Sequence, residues 1–114
     1  MGNERRRHLR IPADLPFRLV AEDGAEEPFE LIDLSESGAR IQCAQPISPM
    51  TRIRVALTLP GRHVGQDDDV RLVTTGVVVW SHPVEDGRYD TGVFFAELEE
   101  EQRDYLQSFV HAAG

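Results

Sequence analysis

The sequence predicts an all-β domain: a six-stranded antiparallel β-barrel with a flexible N-terminal arm and a C-terminal α-helix. Three observations carry the prediction. Short segments of alternating apolar and polar residues recur along most of the chain, Gly-, Asp- and Pro-rich turns separate them without intervening helices, and the apolar period changes from two to three or four only after residue 96.

Residues 1–12 have no apolar periodicity and end in Ile11-Pro12, so they read as an exposed arm preceding a single domain over residues 13–114. Leu15, Phe17 and Leu19 alternate with Pro16 and Arg18, the period of a half-buried strand, and Pro16 places it at an edge or a strand start. An acidic turn over Glu22 to Glu27 leads to a returning strand, Phe29 to Leu34. Gly38 then opens a strand with Ala39, Ile41 and Cys43 on one face and Arg40 and Gln42 on the other.

The clearest alternation is TRIRVALTL, residues 51–59, with Ile53, Val55, Leu57 and Leu59 facing a core. A polar turn containing Asp67-Asp68-Asp69 separates it from Val70 to Trp80, which is rich in β-branched residues but alternates less cleanly. Glu85-Asp86-Gly87 signals a hairpin turn before the last strand, Tyr89 to Phe95. Leu98, Gln102, Tyr105, Leu106, Phe109 and Val110 then recur at helical spacing, and Glu97 and Glu99 to Glu101 suit the positive end of a helix beginning at about residue 97. Its apolar stripe is expected to cover an open end of the barrel.

Composition narrows the function. In 114 residues there is room for one core, and the single Cys43 excludes an internal disulfide and a cysteine-based zinc site, which fits a reducing compartment. No apolar run is long enough to span a bilayer and no signal-peptide core follows the charged N-terminus, so the expectation is a soluble, cytoplasmic protein without membrane insertion. The net charge is −8, yet residues 1–18 hold five Arg against Glu4 and Asp14, a local balance of +3, leaving −11 on the remainder. That distribution opposes a nucleic-acid-binding surface and favours a local anion site at the N-terminus.

Catalytic chemistry finds little support. His8, His63, His82 and His111 are scattered, and Ser35 has neither a histidine placed as its base nor the flanking glycines of a nucleophile elbow. The expectation is therefore no enzyme, no metal and no cofactor. His63 with Asp67-Asp68-Asp69 lacks the alternating ligands and fixed Gly of a calcium loop and reads as a solvated turn.

Two features remain. Arg6 and Arg10 form R-x-x-x-R within an arm that also carries Arg5 and Arg7, and Asp33, Ser35 and Gly38 form D-x-S-x-x-G at a strand junction. The second motif alone suits a turn, with Asp and Ser bonding backbone groups and Gly permitting positive φ. It also suits a ligand: a carboxylate accepts from the N1–H and N2–H2 edge of guanine, a hydroxyl donates to phosphate, and glycine lets a ligand approach the backbone. Guanidinium groups supply the complement, forking onto guanine O6 and N7 or onto phosphate and stacking on bases. The pair points to an anionic, guanine-containing small molecule.

In this order and spacing, with Trp80 and Gly92-Val93-Phe94-Phe95 downstream, the sequence resembles the PilZ domain family of bacterial cyclic diguanylate (c-di-GMP) receptors over nearly its whole length. The resemblance implies a non-enzymatic second-messenger receptor in which Arg6 and Arg10 hold guanine and phosphate and Asp33 reads the guanine edge. It also implies that Ser35 contacts phosphate or orders its loop and that Gly38 provides the turn. Arg5, immediately before R-x-x-x-R, implies two intercalated ligand molecules per domain. Arg7 and Arg40 are further candidates, each equally readable as a solvated residue, and Trp80 is another, a residue type more often found in a core or at a barrel rim than on a ligand. The arm is expected to order over ligand and the signal to pass in trans to an effector protein. The alternative is an interaction adaptor of the same fold that works without nucleotide.

Overall fold

The computed structural model describes residues 10–113. Its strands are β1 (Ile11–Pro12), β2 (Phe17–Val20), β3 (Glu26–Leu34), β4 (Gly38–Cys43), β5 (Arg52–Leu59), β6 (Val70–Pro83) and β7 (Tyr89–Phe95), followed by the helix α1 (Glu100–Ala113). The strand order β3-β2-β5-β6-β7-β4 returns to β3 through the β3–β4 pairing. Six strands thus close into a barrel, and every pairing is antiparallel. Closure leaves the six-strand ring without a free edge.

The core is where the alternation predicts it. Val55, Leu57 and Leu59 of β5 are buried, in one core cluster with Phe17 of β2, Leu34 of β3 and Ile41 of β4. Fully burying side chains of this size contributes about 1.5–3 kcal/mol each. α1 buries Leu106, Phe109 and Val110, and the Phe109 ring lies against His63 in the short helical turn Gly61–His63 that follows β5. The helix therefore covers one end of the barrel, as expected.

Several boundaries differ from the sequence reading. The helix begins at Glu100 rather than near residue 97. Gln102 explains the start: its side-chain oxygen accepts from the Glu99 N–H at 3.0 Å, as in a capping box, and its amide donates to the Val73 carbonyl at 3.0 Å, tying the first turn to β6. β2 starts at Phe17, β3 at Glu26, and β6 runs on to Pro83.

The arm boundary at residue 12 also shifts. Ile11 and Pro12 are sheet residues, pairing with Leu34 and Asp33, and Ile11 is buried. β4 occupies the opposite edge of this part of β3, so β1 and β2 lie along one edge as two pieces of an interrupted strand. Pro12 and Pro16 bracket the interruption, each lacking the N–H that a ladder needs. The chain leading into the barrel is thereby fixed beside Asp33.

Two β-bulges decide which residues face outward. In β3, Leu31 pairs with Ile41 and Asp33 with Arg40, leaving Ile32 as the extra residue. Without it Asp33 would share the inward parity of Leu31; with it, Leu34 turns inward, fully buried, and Asp33 turns out. In β6, Val78 pairs with Val93 and Trp80 with Gly92, so Val79 is extra and Trp80 leaves the inward row of Leu72, Thr74 and Val78. This bulge is the cause of the uneven alternation of Val70 to Trp80.

Candidate functional site

Cross-strand register builds the site. Asp33 of β3 pairs with Arg40 of β4, Arg40 with Gly92 of β7, and Gly92 with Trp80 of β6. These four residues form one row across the outer face, and both bulges are needed to put its ends there. The row floors a shallow cleft of about 400 Å³, which Arg10 and the half-exposed Phe94 also line.

Arg10 joins the arm to the row. Its Nε and Nη2 donate to Asp33 Oδ1 at 3.1 and 2.7 Å. Arg40 Nε donates to the other oxygen, Asp33 Oδ2, at 3.1 Å, and Arg40 Nη1 donates to Asp90 Oδ2 at 3.1 Å. Gln42 Nε2 completes the chain by donating to Asp90 Oδ1 at 3.0 Å. The Arg10 side chain remains 49% exposed while that of Asp33 is 17% exposed. An ion pair exposed on its cationic side is worth about 0–1 kcal/mol, so Arg10 can exchange Asp33 for another anion at small cost.

Ser35 is fully buried and is occupied by its own turn. Its hydroxyl oxygen accepts from the Ser37 and Gly38 N–H groups, both at 3.2 Å, and its backbone N–H donates to the Gly38 carbonyl at 2.9 Å. This is loop-ordering geometry, with no face of the hydroxyl turned to the cleft. Gly38 differs from expectation in its reason. It is not a positive-φ position; a Cβ there would come inside 3.0 Å of the Val93 carbonyl oxygen of β7. Close approach of two backbones, and not turn conformation, requires glycine.

Gly92 plays the corresponding part under Trp80. A Cβ on Gly92 would lie 2.8 Å from the indole Cζ2 and closer still to Cε2 and Nε1, so the ring lies over a position that must have no side chain. The His82 ring packs against the indole, with centroids 5.1 Å apart and planes inclined at 30°. Trp80 is thus neither core nor solvated rim. It is a flat apolar surface beside two guanidinium groups and a carboxylate, suited to an aromatic base with an attached anion.

The structure therefore brings together Arg10, Asp33, Gly38, Arg40 and Trp80 of the predicted residues, with Ser35 beneath them. Arg5, Arg6 and Arg7 lie outside the described residues. Sequence reasoning missed Asp90, Gln42 as a partner, and the demand that Trp80 places on Gly92. The outward parity of Gln42 beside Arg40 was a usable signal, whereas Asp90 is 50 residues from Arg40 and only strand register reveals the pairing.

His63 and the Asp67–Asp69 turn do not converge. Asp69 accepts from the Gly61 N–H at 3.2 Å, and among the described residues no group of three or more His, Cys, Asp or Glu could hold a metal ion. No helix among them is long and apolar enough to cross a membrane.

Comparison with known proteins agrees with this architecture. A sequence model of the PilZ domain matches residues 4–112. Among solved structures, the Bacillus subtilis inhibitor of motility MotI/DgrA superposes with a TM-score of 0.79 at 15% identity, covering 95% of this chain and 50% of that one. MrkH of K. pneumonia in complex with c-di-GMP gives 0.74 at 15% identity, covering 95% and 52%. The PilZ domain of Escherichia coli YcgR with c-di-GMP gives 0.64 at 20% identity, covering 95% and 90%. The chain thus spans about half the length of the first two. No curated protein sequence matches it.

Proposed function

Since the chain belongs to the PilZ domain family, we propose that it is a receptor for c-di-GMP, bound between the arginine arm and the cleft floored by Trp80. The observation that carries this reading is the contact between the two halves of the site: Arg10, last residue of R-x-x-x-R, donates twice to Asp33, first residue of D-x-S-x-x-G. The same two N–H donors, now converging on one carboxylate oxygen, can instead fork onto two oxygens of a ligand phosphate or onto guanine O6 and N7. Released from Arg10, Asp33 presents an acceptor to the guanine N1–H and N2–H2 edge. The Trp80 indole offers the base a stacking surface.

In this reading Arg6 joins Arg10 in binding guanine and phosphate, and Arg5 holds a second, intercalated ligand, giving two molecules per domain. The arm orders over the ligand, and the altered surface signals in trans to an effector protein. Val79 and Phe94, about half exposed beside the cleft, support a partner-facing surface there. The groups the cleft supplies, guanidinium, carboxylate and indole, are recognition groups, and the proposal uses them for binding alone.

Trypsin tests the arm directly, since it cleaves after arginine and the arm offers Arg5, Arg6, Arg7 and Arg10. Saturating c-di-GMP is expected to slow cleavage at these positions, while cyclic di-AMP, lacking the N1–H and N2–H2 donors, leaves it unchanged. Equal cleavage with and without c-di-GMP would overturn the arm-ordering mechanism.

A further inference from the structure

Asp33 is held from two sides, and the two holds differ in kind. On one side is Arg10, half exposed and entering from the arm. On the other is Arg40, which bridges Asp33 Oδ2 and Asp90 Oδ2, both at 3.1 Å. The Arg40 side chain is 37% exposed against 49% for Arg10, and both carboxylates it bridges are mostly buried, so the inner pairs are screened somewhat less by solvent than the outer one. Asp90 is itself fixed, since its Oδ1 accepts from Gln42, its register partner on β4. All four residues of this inner chain lie on three adjacent strands of the closed barrel.

We infer that Asp90, anchored by Gln42, is a positioning residue that keeps the Arg40 guanidinium stretched between two carboxylates and so keeps Asp33 Oδ1 available to the ligand. Arg40 uses Nε for Asp33 and Nη1 for Asp90. Deprived of Asp90, Nη1 needs another acceptor, and a guanidinium on one carboxylate favours the two-oxygen fork. That fork would place a second donor on Asp33 Oδ1, the oxygen vacated when Arg10 turns to the ligand. Recognition of the guanine amino edge then suffers, whereas stacking on Trp80 and phosphate binding by the arm do not. The consequence is a loss of selectivity, distinct from a general loss of affinity.

The inference rests on the c-di-GMP reading of the cleft, and the test separates the two. The wild-type protein, Asp90→Asn, Arg40→Met and the double variant are titrated calorimetrically with c-di-GMP and with its bis-inosine analogue, which lacks the exocyclic amine. Wild-type protein is expected to prefer c-di-GMP, and Asp90→Asn to reduce that preference about tenfold, within the range that one good base-edge contact provides. In the Arg40→Met background the same change is expected to have no further effect, because Asp90 acts through Arg40. Gln42→Ala should move the preference in the same direction, and serves as the test if Asp90→Asn does not fold. An unchanged preference in folded Asp90→Asn, or an equal effect in both backgrounds, overturns this inference and leaves the receptor reading standing. Wild-type protein that binds neither ligand overturns both.

Discussion

Gly92→Ala is the most revealing single substitution at the cleft, because it adds one methyl group beneath the indole. The new Cβ would meet Cζ2 of Trp80 at 2.8 Å and its Nε1 and Cε2 more closely still. Carbon atoms rest about 3.5–4.0 Å apart, so the ring must retreat by about 1 Å or tilt away. Trp80 is only partly buried and can move outward, which puts the stability cost near the low end of the roughly 1–3 kcal/mol typical of overpacking. A cost of about 1 kcal/mol lowers the melting temperature by about 4 °C in a domain of this size. Loss of the stacking surface costs more where it matters: base–aromatic stacking is worth about 1–3 kcal/mol, so affinity for c-di-GMP should fall about 5- to 150-fold. The chain contains a single tryptophan, so its emission reports the displacement without a label. A shifted emission spectrum in a folded variant that binds c-di-GMP as tightly as wild type would refute the assignment of Trp80 to the ligand floor. Unchanged emission and stability would refute the close packing of indole on Gly92.

Gly38→Ala should be the more damaging glycine substitution, costing about 3 kcal/mol and lowering the melting temperature by roughly 10 °C, because its clash is with the Val93 backbone carbonyl and not with a movable ring. Arg10→Ala should leave stability within about 1 kcal/mol in a denaturant titration, since its pair is exposed and Asp33 keeps Arg40, while c-di-GMP affinity falls at least about tenfold. Cys43 should resist thiol reagents in the folded protein and react promptly in denaturant. Burial pushes its thiol above the ordinary value of 9.0, with Glu27 adding to the rise and the Thr91 hydrogen bond opposing it. A raised folded value favours the protonated thiol, so this contribution to stability is complete below about pH 9 and is lost as pH climbs toward the folded value. Thermal melts across that alkaline range, compared with Cys43→Ala, isolate it.

Most of the fold was open to reading because barrel strands advertise themselves by period. Ile53, Val55, Leu57 and Leu59 recur at every second position, and the shift to helical spacing at Leu98 announces α1. What escaped was whatever depends on pairing between distant segments. The brief β1 pairing at Ile11 and Pro12 carries no periodic signal, since two residues make no pattern. The bulges at Ile32 and Val79 reverse the facing of Asp33 and Trp80, and periodicity registers them only as blurred alternation. Motif spacing located Arg10 and Asp33, 23 residues apart, and the structure joins them by two hydrogen bonds. Motif logic gave Gly38 the wrong physical reason, because the close approach of Val93 follows from the β4–β7 register. In the inner chain only the shared outward parity of Arg40 and Gln42 is local; Asp90, 50 residues from Arg40, has no local signature.

The central claim is that the arginine arm and the Trp80 cleft form one c-di-GMP site. Calorimetric titration of folded wild-type protein with c-di-GMP tests it most directly. Saturable heat with two ligands per chain is expected, and its disappearance in Asp33→Ala. Folded protein that gives no heat at ligand concentrations on the order of tens of micromolar, corresponding to weaker than about −6 kcal/mol, would contradict it.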